Sequence, residues 1–226
     1  MSGFKVRTAF VSVAALMAIT ACGGPPPAAT EPVAAAAPAA APAPAARAAP
    51  DLAAIFTSTG KPTDSFKLTS ASFSDGATLA EVHVFNSFGC SGGNQSPALS
   101  WSGAPEGTKS YAILMYDPDA PTGSGFWHWV VYNLPAATTG LAVGAGEASG
   151  KSLPPGSGQG RTDFGSPGYG GPCPPPGSGN HRYYFRVHAL KVEKLELPAG
   201  ATAALVGFNI NANTLATAQI VGVFGR

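Results

Sequence analysis

The sequence predicts an all-β fold, a two-sheet antiparallel β-sandwich with long Gly/Pro-rich loops and a short helix near the C-terminus. Three observations carry this expectation. Beyond residue 50 the chain runs as short apolar stretches punctuated by Gly, Pro, Asn and Ser. Those stretches are rich in β-branched and aromatic residues, and a 3.6-residue period is hard to find before residue 200. About seven such runs in one domain suit two packed sheets better than any helical architecture.

Taken in order, residues 66 to 73 and 98 to 102 read as strands. Leu79 to Phe85 alternates Leu-Ala-Glu-Val-His-Val-Phe, which predicts a half-buried strand with His83 on its surface face. Tyr111 to Tyr116 is apolar on both faces, the pattern of a central strand. Further strands are expected over 126 to 133, 182 to 190 and 219 to 224. Residues 140 to 180 are so loaded with Gly and Pro that they predict a long irregular excursion, and such excursions commonly carry function. Residues 201 to 218 contain the one helical stretch, where Leu205, Phe208 and Leu215 are spaced as a buried stripe, although Gly207 and three Asn residues weaken it.

The N-terminus reads as an address rather than a fold. Lys5 and Arg7 precede an apolar run from residue 8 to 21, too short to span a bilayer comfortably, and Ile19-Thr20-Ala21-Cys22 has the small-residue pattern of a bacterial lipobox. Residues 1 to 21 are therefore expected to be a signal peptide and Cys22 to be lipidated; an ordinary signal peptide with an incidental cysteine is the alternative. Residues 22 to 50 are almost wholly Gly, Pro and Ala beyond that cysteine, and read as a tether. Residues 51 to 226 make one domain, large enough for its own core. The expected location is the bacterial envelope, lipid-anchored, with Gly23 rather than Asp favouring the outer membrane facing the periplasm.

Losing Lys5 and Arg7 with the signal peptide leaves 11 basic against 12 acidic residues, a formal charge of −1, which gives no electrostatic case for nucleic acid. Of three cysteines, Cys22 is assigned to lipid. The remaining pair, Cys90 and Cys173, predicts a disulfide in an oxidising compartment, with two free thiols as the alternative.

Two segments place ionisable residues among prolines and aromatics. One is Asp117-Pro118-Asp119-Ala120-Pro121, followed by His128-Trp129 and Asn133-Leu134-Pro135; the other is Gly171-Pro172-Cys173-Pro174-Pro175-Pro176-Gly177, then His181-Arg182-Tyr183. Prolines fix φ and hold the polar side chains in a rigid frame. In an extended segment residues 181 and 183 share a face, and His188 falls on the other. Asp119 reads as structural, capping local backbone N–H groups.

Together these segments resemble the phosphatidylethanolamine-binding protein family, specifically its bacterial kinase-inhibitor-like branch. Gly89-Cys90-Ser91-Gly92-Gly93-Asn94, Ser96 to Trp101 and Asp163-Phe164-Gly165 extend the likeness over residues 64 to 226. The resemblance implies a pocket for phosphate-like anions lined by Asp117, His128, His181 and Tyr183, with backbone of Gly171 and Pro175 at the rim. Pro176 departs from the pattern, since relatives often carry Lys there. In chemical terms, two imidazoles would donate N–H to an anion and strengthen when protonated, Tyr183 would add a neutral donor, and Asp117 would orient an imidazole.

The expected function is a non-enzymatic binding module for an anionic small molecule or phospholipid headgroup, without metal or cofactor. The alternatives are a protein-interaction or inhibitor module with a protein partner, a hydrolase using the two histidines, and a buried structural network of Asp117, His128 and His181. Two motifs are declined. Gly89 to Gly93 spells a nucleophile-elbow string, but an elbow leads into a helix and here a strand is expected. Gly146 to Ser152 has too few residues between its glycines for a phosphate loop.

Overall fold

The computed structural model describes residues 65–226. The expected signal peptide, Cys22, the tether and residues 51 to 64 of the domain lie outside the described residues. The described chain forms eight strands and one α-helix: β1 (Lys67–Thr69), β2 (Leu99–Ser102), β3 (Ser110–Asp117), β4 (Phe126–Pro135), β5 (Gly140–Leu141), β6 (Gly158–Gln159), β7 (His181–Leu190), α1 (Ala203–Asn213) and β8 (Thr214–Phe224). Two antiparallel sheets result, one of order β1-β2-β5 and one of order β6-β4-β3-β7-β8.

The larger sheet is covered on both faces, and this explains why β3 is apolar on both. Ile113 and Met115 join Trp101, Trp129 and Phe185 in the core between the sheets, while Ala112, Leu114 and Tyr116 pack with Val206 and Ile210 of α1 on the other face. All eight residues of β3 are buried. Each large apolar side chain so buried contributes about 1.5–3 kcal/mol relative to exposure.

The expected strand over 79 to 85 is not one. Only Thr78 bridges to Val223; Glu81–His83 is a single 3-10 turn. The backbone groups that would have made a ladder bond instead to a neighbouring loop: Gly93 N–H donates to the Glu81 carbonyl, Gln95 N–H to Val82, and Asn94 N–H to Val84. Gly92 permits this approach, because a Cβ there would lie 2.3 Å from the Val84 carbonyl oxygen. His83 is consequently buried rather than on the surface, its Nδ1 at 2.7 Å from the Gln95 carbonyl.

The helix lies within 201 to 218 as expected, but it buries a different face. Ala203, Val206, Gly207 and Ile210, spaced i, i+3, i+4, i+7, form the packed stripe, whereas Leu205 and Phe208 are 40% and 72% exposed. The asparagines do not break it, since Asn209 and Asn213 donate to the carbonyls of Leu205 and Asn209 one turn back. Thr202 caps its start, accepting from Leu205 N–H. After Asn213 the β-branched Thr214, Thr217, Ile220, Val221 and Val223 favour extension, so β8 takes over eleven residues that include Leu215.

Residues 140 to 180 hold only the two-residue strands β5 and β6 and are otherwise irregular. Cys90 and Cys173 form the disulfide, with Cα atoms 6.0 Å apart, tying that excursion to the loop between Glu81–His83 and β2.

Candidate functional site

The polar residues singled out in the sequence come together at one end of the larger sheet. β3 ends at Asp117, and its antiparallel neighbours β4 and β7 begin there, with Phe126 opposite Asp117 and Tyr184 opposite Tyr116. That topology brings Asp117, His128, His181 and Tyr183 to the wall of one cleft of about 220 Å³, along with Pro175. Gly171 does not line it. Its N–H donates to Asn94 Oδ1 at 2.8 Å, and a Cβ at this position would lie 2.1 Å from the His83 carbonyl oxygen, so glycine serves packing behind the wall.

Asp117 is 2% exposed and uses both oxygens. Oδ1 accepts from the N–H groups of Asp119 (2.8 Å) and Ala120 (3.1 Å), and Oδ2 accepts from His181 Nδ1 at 2.8 Å. The turn cap expected of Asp119 thus belongs to Asp117. Asp119 is structural in another way: it takes the backbone N–H of Arg182 and both Nε and Nη2 of its guanidinium, which hold its carboxyl below the ordinary range.

The other nitrogen of His181, Nε2, lies 3.0 Å from Ser178 Oγ, and Ser178 Oγ donates to the Pro175 carbonyl at 2.8 Å. Ser178 has one hydroxyl proton. When it points at Pro175, Nε2 must be the donor, and His181 is then an imidazolium against the Asp117 carboxylate. When it turns to Nε2, His181 is neutral.

His128 reaches the cleft through an irregularity. Met115 pairs with Trp129 but Tyr116 pairs with Trp127, so His128 is the extra residue of a β-bulge. The bulge reverses parity, sending Trp127 to the helix face and Trp129 to the inter-sheet core. Asp163 supports it by accepting Trp127 N–H at 2.8 Å. His128 Nδ1 sits 2.7 Å from the Gly170 carbonyl, which fixes the proton on Nδ1 and leaves Nε2 with its lone pair. Burial pulls the His128 pKa below its ordinary value, against the opposing effect of the Gly170 carbonyl and Asp117. This corrects one expectation: at neutral pH His128 offers an acceptor, not a second charged donor.

Tyr183 is fully buried, and its hydroxyl has no hydrogen-bond partner of normal geometry among the described residues. Burial, reinforced by the nearby Asp117 charge, raises its pKa, so the hydroxyl stays protonated and donates. His188 faces away, as parity predicts. It lies 3.1 Å from Thr217 Oγ1, and burial pushes its pKa down to about 3. Among the described residues no three His, Cys, Asp or Glu side chains are grouped to hold a metal ion.

An aromatic wall completes the cleft, and the sequence reading assigned it no role. Phe126 and Phe164 flank His128 at centroid distances of 5.1 and 5.3 Å, Phe85 stacks on Phe164 at 4.3 Å, and Phe88 stands beyond at 5.9 Å from Phe164. Asp163-Phe164-Gly165 was a visible signal, since a carboxylate and a ring amid glycines need a reason to be there.

The phosphatidylethanolamine-binding protein family model matches residues 69–225. This chain belongs to that family. Family membership makes it a binding-type module and accounts for the two-sheet antiparallel architecture with one short helix. It is 54% identical over 160 residues to YbcL of Escherichia coli, covering 71% of this chain and 87% of that protein. YbhB of the same organism is 51% identical over 158 residues, covering 70% and 99%. The crystal structure of E. coli YbcL, described as a new member of the mammalian family, superposes with a TM-score of 0.70 over 72% of this chain and 99% of that one. LppC of Mycobacterium tuberculosis, whose name marks it as a lipoprotein, is 34% identical over 168 residues, 74% of this chain and 76% of its own.

Proposed function

We propose that this member of the phosphatidylethanolamine-binding protein family holds a monoanionic phosphate group, free or on a lipid headgroup, in the cleft at Asp117, His128, His181 and Tyr183, and does not turn it over. The buried Tyr183 hydroxyl carries the reading. The Asp117 carboxylate stands beside it, but its oxygens already serve His181 and the turn at Asp119, so a ligand oxygen would give this buried donor an acceptor of normal geometry, worth up to about 1–3 kcal/mol. The rest of the cleft fits the same occupant: His181 in its protonated form offers Nε2–H when a ligand oxygen takes the place of Ser178 Oγ, and His128 Nε2 can accept from a P–OH. One donor from a hydroxyl, one charged donor and one acceptor match a phosphate that keeps a P–OH, as a monoester does; a diester headgroup meets only the two donors.

Holding is favoured over hydrolysis because Ser178 Oγ, the hydroxyl beside His181 Nε2, donates to the Pro175 carbonyl and does not line the cleft, so it is not presented to a bound phosphate as a nucleophile. The module is read as exported and anchored through Cys22 on the tether of residues 22 to 50, at the outer membrane facing the periplasm. The lipoprotein name of LppC supports the anchor, and mass spectrometry of membrane-extracted protein should find an acylated peptide beginning at Cys22.

Calorimetric titration with methyl phosphate tests the site. Wild type should bind. Tyr183→Phe and His181→Ala should each weaken binding roughly ten- to a hundredfold, a loss of about 1.5–3 kcal/mol, while His188→Ala binds as wild type. Equal losses in all three variants would overturn the site assignment. Release of p-nitrophenol from its phosphate ester at a rate above buffer would overturn the non-enzymatic reading.

A further inference from the structure

Resting on the anion reading above, we infer that Phe88 is a specificity-determining residue and that the anion this cleft selects carries a flat aromatic or unsaturated substituent, stacked on the wall formed by Phe88 and Phe164.

Space comes first. A cleft of about 220 Å³ is several times the roughly 30 Å³ that a water molecule occupies, so a bare phosphate group leaves much of it empty. Asp117, His128, His181 and Tyr183 supply the polar groups; the rest of the wall is Phe88, Phe126, Phe164, the prolines 121, 174 and 175, Ala120, Cys173 and Thr122, whose hydroxyl is spent on the Gly125 carbonyl. A ligand that fills the cleft must therefore be apolar beyond its anionic group.

The conformation of Phe88 supports a role of its own. It is 69% exposed, the reverse of what so large an apolar side chain ordinarily does, and its φ is +55°. That left-handed conformation is rare for a bulky residue and is kept where surroundings over-determine it, characteristically at ligand clamps. Here the surroundings do so. The Phe88 carbonyl accepts from Arg226 Nη2, the next carbonyl, of Gly89, accepts from Nη1 at 2.9 Å, and Nε of the same guanidinium donates to the Pro174 carbonyl at 2.6 Å. The Cys90–Cys173 disulfide crosses the same seam. Two independent staples thus fix a strained, outward ring at the mouth of the cleft.

Ring geometry gives the chemical class. Phe126 stands edge-on to Phe164 at 74°, whereas Phe88 lies within 22° of parallel to Phe164 and stays largely exposed, so Phe88 presents an open aromatic face at the cleft. Offset stacking onto such a surface stabilises a planar group beyond what its buried area contributes.

The test compares methyl, phenyl and cyclohexyl phosphate on wild type, Phe88→Ala, Phe88→Leu and Phe208→Ala, by calorimetry. Because Phe88 is mostly exposed, its replacement leaves the core untouched. In wild type, phenyl phosphate should bind about three- to tenfold more tightly than cyclohexyl phosphate, and both more tightly than methyl phosphate. Phe88→Ala should abolish the preference for phenyl over cyclohexyl phosphate. Phe88→Leu should retain the apolar gain but lose the aromatic one, and Phe208→Ala, an equally exposed ring on α1, should change nothing. If phenyl and cyclohexyl phosphate bind equally, or Phe88→Ala keeps the preference, the aromatic platform is wrong while the anion site stands. If wild type binds no methyl phosphate, the anion reading fails and takes this inference with it.

Discussion

The Asp117 carboxylate joins two structures at once: Oδ2 holds His181 Nδ1 at 2.8 Å, and Oδ1 caps the turn that begins at Asp119. Removing it by Asp117→Ala strands a buried imidazole and uncaps two N–H groups, and should destabilise the fold by about 3–5 kcal/mol in urea unfolding. Asp117→Asn separates the two tasks. Its amide oxygen can keep the cap, which leaves the NH₂ facing Nδ1 and forces His181 into the neutral Nε2–H tautomer. Nitrogen NMR should report that tautomer, and methyl phosphate affinity should fall roughly tenfold as charge-assisted donation is lost.

The Cys90–Cys173 bridge closes a loop of 83 residues, which in the chain-entropy account contributes about 4 kcal/mol. The paired Cys90→Ser, Cys173→Ser variant should lose that much or less in denaturant unfolding. Since domains of this kind are stable by about 5–15 kcal/mol, it should remain folded and cooperative. Unreduced, denatured wild type should leave both cysteines inert to thiol labelling.

Much of this was legible in the sequence, and the failures share a cause. Long β3, β4 and β7 follow from runs of apolar residues whose burial is decided by composition alone, and the same-face placement of His181 and Tyr183 follows from the period of two. Parity misled at His83 because Leu79 to Phe85 alternates as a strand does, yet its backbone bonds to the Gly92–Gly93 loop, a long-range pairing no local pattern encodes. It was silent at His128, where a bulge inserts a residue and reverses the faces of Trp127 and Trp129. Helix α1 was misread because Leu205 and Phe208 are the larger residues, while the packed stripe uses Ala203, Val206 and Ile210. Phe88 could not have been singled out: its significance lies in a positive φ and in carbonyls held by Arg226, 138 residues away.

His188 makes stability depend on pH. Its folded pKa of about 3 lies well below the ordinary value near 6.5, and His128 is shifted the same way by burial. The unfolded chain therefore binds more protons below about pH 6.5, so stability is greatest above that value and falls as pH drops towards 3. His188 alone should account for about 1.4 kcal/mol per pH unit over that window. His188→Gln should flatten the dependence by about one proton between pH 6 and 4; an unchanged slope would show that His188 is protonated in the fold.

The depressed His128 also predicts how anion binding varies with pH, and the choice of ligand isolates it. Methyl phosphate carries its own ionisation near pH 6, as phosphate monoesters do, and so gains the P–OH that His128 Nε2 can accept as pH falls from 8 to 6. Its affinity should rise over that range. Dimethyl phosphate has no such proton and stays a monoanion throughout, so against it the Nε2 lone pair is repulsive until His128 itself is protonated. Burial places that event below the ordinary histidine value, and the bound anion pulls it back up. Affinity for dimethyl phosphate should therefore stay flat from pH 8 to about 6.5 and rise only below it, with uptake of one proton on binding, measurable as a buffer-dependent enthalpy in calorimetry. His128→Gln, which cannot ionise, should remove both the rise and the proton uptake for the diester while Tyr183 and His181 still hold the anion. A diester affinity that climbs between pH 8 and 6.5 in wild type and not in His128→Gln would mean that His128 is not depressed, and that it serves as the charged donor its position in the sequence first suggested.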